Sequence, residues 1–195
     1  MLQQLLNFCI IDILGVINMK KIAGIMLFAA LFTSASVQAA DNLQFKGNLV
    51  IPNCTVNNNS PIETDFGDIE IQTIVSPHIG YHWQSLRIPV ECPYTLGVPK
   101  IKLTGDPAVA YKNSIKTSKY DPEKLVVYLR QGTADKRGDV INLGSYHNLA
   151  AESVQGSSGT KRTVLIAAGI GREGDMGLLT PGSFTASANM EMRYE

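Results

Sequence analysis

The stretch from Gly182 to Glu195 alternates without a break, and its apolar set, Phe184, Ala186, Ala188, Met190, Met192 and Tyr194, falls on one side of an extended strand. An apolar face of that length needs a covering partner, and no residue follows Glu195 in this sequence to supply one. A second alternating run, Leu43, Phe45, Gly47, Leu49 and Ile51, lies well ahead of the other strand signals. One strand therefore lacks a neighbour, while another stands apart as if detachable.

Upstream of that run the sequence has the three zones of a secretory signal: Met19-Lys20-Lys21, the apolar run Ile22 to Phe32, and the small-residue segment Ser34 to Ala39. Val37 and Ala39 take the two small positions, which predicts cleavage after Ala39. A spanning helix would need about 20 apolar residues, more than this core offers. Residues 1–18 precede the better start at Met19 and read as an over-extended start. The expected layout is a leader over 1–39, an extension over 40–49 and one domain over 50–195.

Cys9 leaves with the leader, so Cys54 and Cys92 remain. In an exported chain an even pair predicts a disulfide, which would stabilise the fold by roughly 3 to 4 kcal/mol through loop entropy. Two unpaired buried thiols are the alternative. Metal ligation lacks both a C-x-x-C spacing and a third soft ligand. The 17 acidic and 17 basic side chains balance and no Lys/Arg cluster stands out, which argues against nucleic acid or an anionic membrane as partner.

Strand signals dominate, with no sustained helical periodicity. They cover 50–56, 66–75, 86–92, 100–104, 124–130, 139–143, 161–168 and the terminal run. Pro89 inside the third of these favours an edge or an irregular position. Turn-forming clusters separate the runs: 57–61, 105–107, 132–138, 156–159 and 171–177. Many short strands with such punctuation predict an all-β fold, an antiparallel immunoglobulin-like sandwich in a single domain.

Motifs for chemistry are thin. His78 and His82 would face one metal only on a helix, which Pro77 and Gly80 disfavour; His147 is isolated. Gly169-Ile-Gly-Arg-Glu-Gly174 fits a dinucleotide fingerprint literally, yet the residues after it, with Pro181, read as loop rather than the helix a phosphate would need. No serine sits in a G-x-S-x-G elbow, and Asp65, Asp68 and Glu91 belong to no carboxylate motif. The reading is of a non-enzyme without metal or cofactor.

The assembled features resemble the pilin subunits of the chaperone–usher pathway. The marks of that family are an N-terminal extension of alternating apolar residues around a glycine, a disulfide between the first two strands, and a last strand with a glycine fourteenth from the end and a penultimate tyrosine. Here they are Leu43-Gln-Phe-Lys-Gly-Asn-Leu49 with Gly47, then Cys54 with Cys92, then Gly182 and Tyr194. Ile51 to Val56, Asp68 to Thr73, Cys92-Pro-Tyr94 and Leu125 to Leu129 look most like the tip fibrillum subunits of P-type pili. The likeness spans 40–195.

The resemblance implies an incomplete immunoglobulin-like domain lacking its last strand, completed by donor-strand complementation. A periplasmic chaperone would lend a strand, and at the outer-membrane usher the extension of the next subunit would replace it. Leu43, Phe45 and Leu49 would then enter a neighbour's groove, each burial being worth about 1.5 to 3 kcal/mol before ordering costs, with Gly47 allowing close backbone approach. The groove would be built from Gly182, Phe184, Ala186, Ala188, Met190, Met192 and Tyr194. The implied product is an internal subunit of a surface fimbrium, in the tip fibrillum, with adaptor, rod and terminator positions as alternatives and a tip adhesin as an indirect partner. From another class, a self-contained periplasmic carbohydrate-binding sandwich is the competing expectation, and a small exported hydrolase a third.

Overall fold

The computed structural model describes residues 43–156 and 160–195, in two units, Met1–Asn48 and Leu49–Glu195. Residues 43–48 of the first unit carry no regular secondary structure and their side chains are exposed. The expected leader lies outside the described residues.

The second unit is made almost wholly of strands. They are β1 (Thr55–Val56), β2 (Tyr81–Glu91), β3 (Pro99–Gly105), β4 (Ser114–Lys116), β5 (Leu125–Gly132), β6 (Arg137–Val140), β7 (Tyr146–Asn148), β8 (Val154–Gln155), β9 (Lys161–Arg172) and β10 (Ala188–Tyr194). The one α-helical turn among the described residues, α1 (Tyr120–Glu123), stops where Lys124 turns left-handed at φ 58°. A large sheet runs β1-β2-β9-β5-β4, with β6 on β5 and β8 on β9; a small sheet runs β10-β3-β7. All the pairings are antiparallel.

The two sheets close over a core dictated by the two-residue period of their strands. Ile88 and Val90 of β2, Val164, Ile166 and Ile170 of β9, and Leu125, Val127 and Leu129 of β5 meet Ile101 and Leu103 of β3 and Met192 and Tyr194 of β10. Cys54 and Cys92 are joined by a disulfide with Cα atoms 4.1 Å apart, fastening the start of β1 to the end of β2.

On the outer face of the large sheet, Ala108, Tyr120, Val126 and Tyr128 form a second cluster with Trp83 packed against it. This cluster accounts for the fingerprint glycines. A Cβ on Gly169 would strike the Trp83 ring, and one on Gly171 would strike the Tyr128 ring. β9 runs through both residues to Arg172, and the next element is a 3-10 turn at Met176–Leu178. The glycines make room for aromatic rings, with no helix N-terminus present to hold a phosphate.

Several strand boundaries differ from the sequence expectation. The run 50–56 pairs only at Thr55 and Val56, because Asn57, Asn58 and Asn59 take left-handed φ values of 43°, 51° and 61° and turn the chain out of the sheet. Residues 66–75 form no strand; Ile71–Thr73 is a 3-10 turn, and Phe66 and Ile69 pack as half-buried side chains on the core. The terminal strand begins at Ala188 rather than Gly182, whose φ is 141°. Pro89 lies within β2, paired to Thr163 of β9. The Cys92 amide donates to Thr160 on the β9 side, so by alternation the missing N–H of Pro89 faces β1, at the place where β1 leaves the sheet.

Candidate functional site

β10 is an edge strand, with β3 on one side of it. Glu195 and Val98 exchange both backbone bonds, at 3.1 and 2.6 Å, so the odd-numbered residues of β10 hydrogen-bond to β3 and the even-numbered ones direct N–H and C=O to the outer edge. On that edge the Met192 carbonyl accepts from the Cys54 amide at 2.7 Å. The Tyr194 carbonyl accepts from the Tyr94 hydroxyl at 2.7 Å. At Ala188 and Met190 the edge pairs with no strand among the described residues.

The inner face of the same segment opens in step with its edge. Met192 and Tyr194 are buried, Met190 is half-buried, Ala188 and Ala186 are exposed, and Phe184 is half-buried beside Phe66, ring centroids 6.2 Å apart. Exposure of the inner face thus rises from the end bonded to Cys54 toward the small side chains of Ala188 and Ala186. Apolar surface and unpaired backbone lie together there, an arrangement that calls for an added strand.

Both ends of this wall are held rigidly. Beyond the last residue of β3, Ser118 takes over as backbone partner: its amide donates to the Thr185 carbonyl at 2.8 Å, and the Thr185 amide donates to Ser118 Oγ at 3.1 Å. Lys119 Nζ bridges Glu123 at 3.0 Å and donates to the Thr180 carbonyl, while the Thr180 hydroxyl donates to Glu123 Oε1 at 2.6 Å. Burial by itself would push the Glu123 carboxyl up, but the bonds from Thr180 and Lys119 outweigh it and hold the group below its ordinary value. At the other end, Glu191 is bridged by Lys102 at 2.9 Å and accepts from the Tyr146 hydroxyl at 2.9 Å, which also lowers its carboxyl. Gly97, at φ 101°, lets the chain pass so close to the Glu195 backbone that any Cβ would collide with it.

Leu43, Phe45 and Leu49 are 77%, 89% and 106% exposed, and a Cβ on Gly47 would meet nothing. Ala188, Met190, Met192 and Tyr194 share one face of β10, whereas Gly182, Phe184 and Ala186 precede the strand, with Phe184 packed against the core and Ala186 exposed. Ser118, Lys119, Glu123 and Phe66 carry no signature in the sequence, since their pairings to 180–185 span long separations. Tyr94 stands in a matched motif, but its bond to Tyr194 crosses 100 positions.

The histidines are dispersed. His78 stacks edge-on to Tyr111 at 5.1 Å, His82 Nε2 lies 2.5 Å from Thr73 Oγ1, and His147 sits against the Asn142 backbone. Among the described residues no group of three His, Cys, Asp or Glu is placed to hold a metal ion.

Fold and edge together define an immunoglobulin-like sandwich short of one strand. No family model matches the sequence. The chain is 35% identical over 182 residues to the fimbrial protein PrsE of Escherichia coli, covering 90% of this chain and 99% of that one. It is 26% identical over 169 residues to the fimbrial adapter PapF of Escherichia coli, covering 87% and 96%. A subunit in the structure of a chaperone–usher pilus matches the fold with TM-score 0.53 at 17% identity, over 81% of this chain and 97% of that one. The chain belongs to the family of fimbrial protein subunits. It is a structural component of a surface fimbrium, and nothing in these likenesses favours a self-contained carbohydrate-binding sandwich.

Proposed function

We propose that this subunit polymerises by donor-strand exchange: a periplasmic chaperone first fills the cleft beside β10, and at an outer-membrane usher the 40–49 extension of the next subunit replaces it. The reading rests on one observation, the outer edge of Ala188 and Met190 lying over an exposed inner face. The exposed alternation of Leu43, Phe45 and Leu49 supplies a matching strand. An incoming strand would bond to the free edge while its apolar side chains filled the space above Ala186 and Ala188. In this role the subunit both gives and receives a strand, which suits an internal position in a tip fibrillum linked through its neighbours to an adhesin; no catalytic step is assigned to it.

Removing residues 40–47 tests the reading. The shortened chain is expected to bind its chaperone and to fail to join fibres as a strand donor. Normal polymerisation of that chain would overturn the proposal. A chain that stays monomeric and soluble when made without any chaperone would count equally against an open cleft.

A further inference from the structure

The end of the sandwich where β10 begins carries apolar surface that the fold leaves uncovered. β2 starts there at Tyr81, β5 starts there at Leu125, β9 finishes there at Arg172, and Ala188 lies opposite Gly105 of β3. Val109 is 85% exposed, Ile79 50%, Tyr111 48% and Leu178 45%. Pro77, Val109, Ala110 and Leu178 line a shallow depression at this end, rimmed by His78 and by the charged Lys124, Glu173 and Asp175.

The surface is pre-built. Glu173 beneath it accepts from the Tyr120 hydroxyl at 2.9 Å and from Ser114 Oγ at 3.2 Å. The buried Arg172 side chain donates to the carbonyls of Ile74 and Val75 at 3.0 and 2.6 Å, and the His78 amide donates to the Arg172 carbonyl at 2.7 Å. The 74–78 segment, the α1 turn and the segment after β9 are thus tied to strand ends.

Strand direction and tether length name the partner. In an antiparallel sandwich the strand added beside β10 runs antiparallel to it, so the Leu49 end of the donor lies toward the start of β10 and its Leu43 end toward the side closed by Cys54. Only Val50 to Asn53 then separate the bound strand from Cys54, which the disulfide buries in the donor's own domain. Four residues reach at most about 14 Å. The donor's disulfide end must therefore sit close to the acceptor's loop end. That disulfide end presents Leu96, 80% exposed, and Val98, 44% exposed, in the connection between β2 and β3.

We propose that these two ends form a second contact between consecutive subunits, in which the 93–98 loop of the strand-giving domain packs on Val109, Tyr111 and Leu178 of the strand-accepting one. The contact rests on the strand-exchange reading and goes beyond it. It is heterologous and head-to-tail, so it repeats along a fibre without closing, and it restricts the angle between neighbouring domains that the four-residue tether alone would leave loose.

Fibres assembled from full-length chain carrying both Leu96→Cys and Val109→Cys, treated with a short bismaleimide and then boiled in detergent, test it. The expected result is a covalent ladder, with none from the control pair Leu96→Cys and Val140→Cys, since β6 lies along the side of the sandwich. Fibres that form normally but give no ladder, or give one equally with the control pair, overturn the contact while leaving strand exchange intact. Failure of the unsubstituted chain to form fibres at all overturns the strand-exchange reading and this contact with it. Should the doubly substituted chain fold poorly, fibres co-assembled from the two singly substituted chains separate the same outcomes, with a cross-linked dimer in place of the ladder.

Discussion

The amide of Cys54 donates to the carbonyl of Met192 at 2.7 Å, tying the residue that precedes β1 to the outer edge of the C-terminal strand. Cys54 is also bonded to Cys92 at the end of β2, so the closed end of the cleft and the disulfide are one mechanical unit. Losing the disulfide by Cys54→Ser with Cys92→Ser releases both. The expected cost is about 2 to 5 kcal/mol, read as a lower denaturant midpoint for the subunit with its cleft filled by an extension peptide. An unchanged midpoint would show that packing alone holds this end.

Ala188 leaves space on the inner face between the half-buried Met190 and the exposed Ala186. Ala188→Leu fills that space from within, and overpacking of an incoming strand costs about 1 to 3 kcal/mol. Strand acceptance is expected to slow roughly tenfold or more, while the variant's own extension still enters an unaltered neighbour. Equal loss of giving and accepting would point to misfolding instead.

Phe45 is 89% exposed. Phe45→Asp removes a burial worth about 1.5 to 3 kcal/mol in the acceptor and adds a carboxylate that must be desolvated there. Exchange from a purified chaperone complex is expected to fall by roughly a hundredfold. Rates within about twofold of the unsubstituted chain, a barrier change well under 1 kcal/mol, would remove Phe45 from the donor set.

Glu123 is held below its ordinary carboxyl value by the bonds from Thr180 and Lys119, which exceed the opposing effect of burial. A depressed folded value contributes stability that is full above the unfolded glutamate value and lost as pH falls through the folded one. The 180–185 segment is therefore expected to loosen only below the ordinary glutamate range, near 4.5. Glu123→Gln should remove that acid limb and cost roughly 1 to 3 kcal/mol, because the half-buried Lys119 ammonium keeps its bond to Thr180 but loses its counter-charge. Hydrogen exchange at Thr185 across that pH range is the direct readout, and the same acid limb in the variant would assign it to another group.

The edges of this fold were legible in the sequence because period-two alternation reports a buried face directly. The inner faces of β3, β5, β9 and β10 all follow it, and Met192 and Tyr194 lie in the core as their spacing implies. Residues 66–75 alternate just as well and form no strand, since alternation says which side chains seek the core and not whether a neighbouring backbone is present to pair. The Lys119, Glu123 and Thr180 clamp was illegible for a related reason: it joins segments about 60 residues apart through polar side chains that no local pattern distinguishes from surface residues. Pro89 sits between these cases. Its missing N–H predicted an edge or an irregular position; it lies inside β2, paired to Thr163, with its nitrogen facing the side on which β1 ends.

Gly169 and Gly171 show the converse, a motif whose sequence form and physical role diverge. A Cβ on Gly171 would meet both the Tyr128 ring and the Ile79 carbonyl, and backbone on one side with a packed ring on the other leaves little room to yield. Tyr128 is itself buried, and its hydroxyl has no hydrogen-bond partner among the described residues. Gly171→Ala is expected to destabilise the domain by about 1 to 3 kcal/mol through overpacking, with Tyr128→Leu in the same chain restoring part of the loss by vacating the space. Such a rescue distinguishes steric packing from a backbone requirement of glycine itself, because a conformational penalty at position 171 would persist whatever stands at position 128.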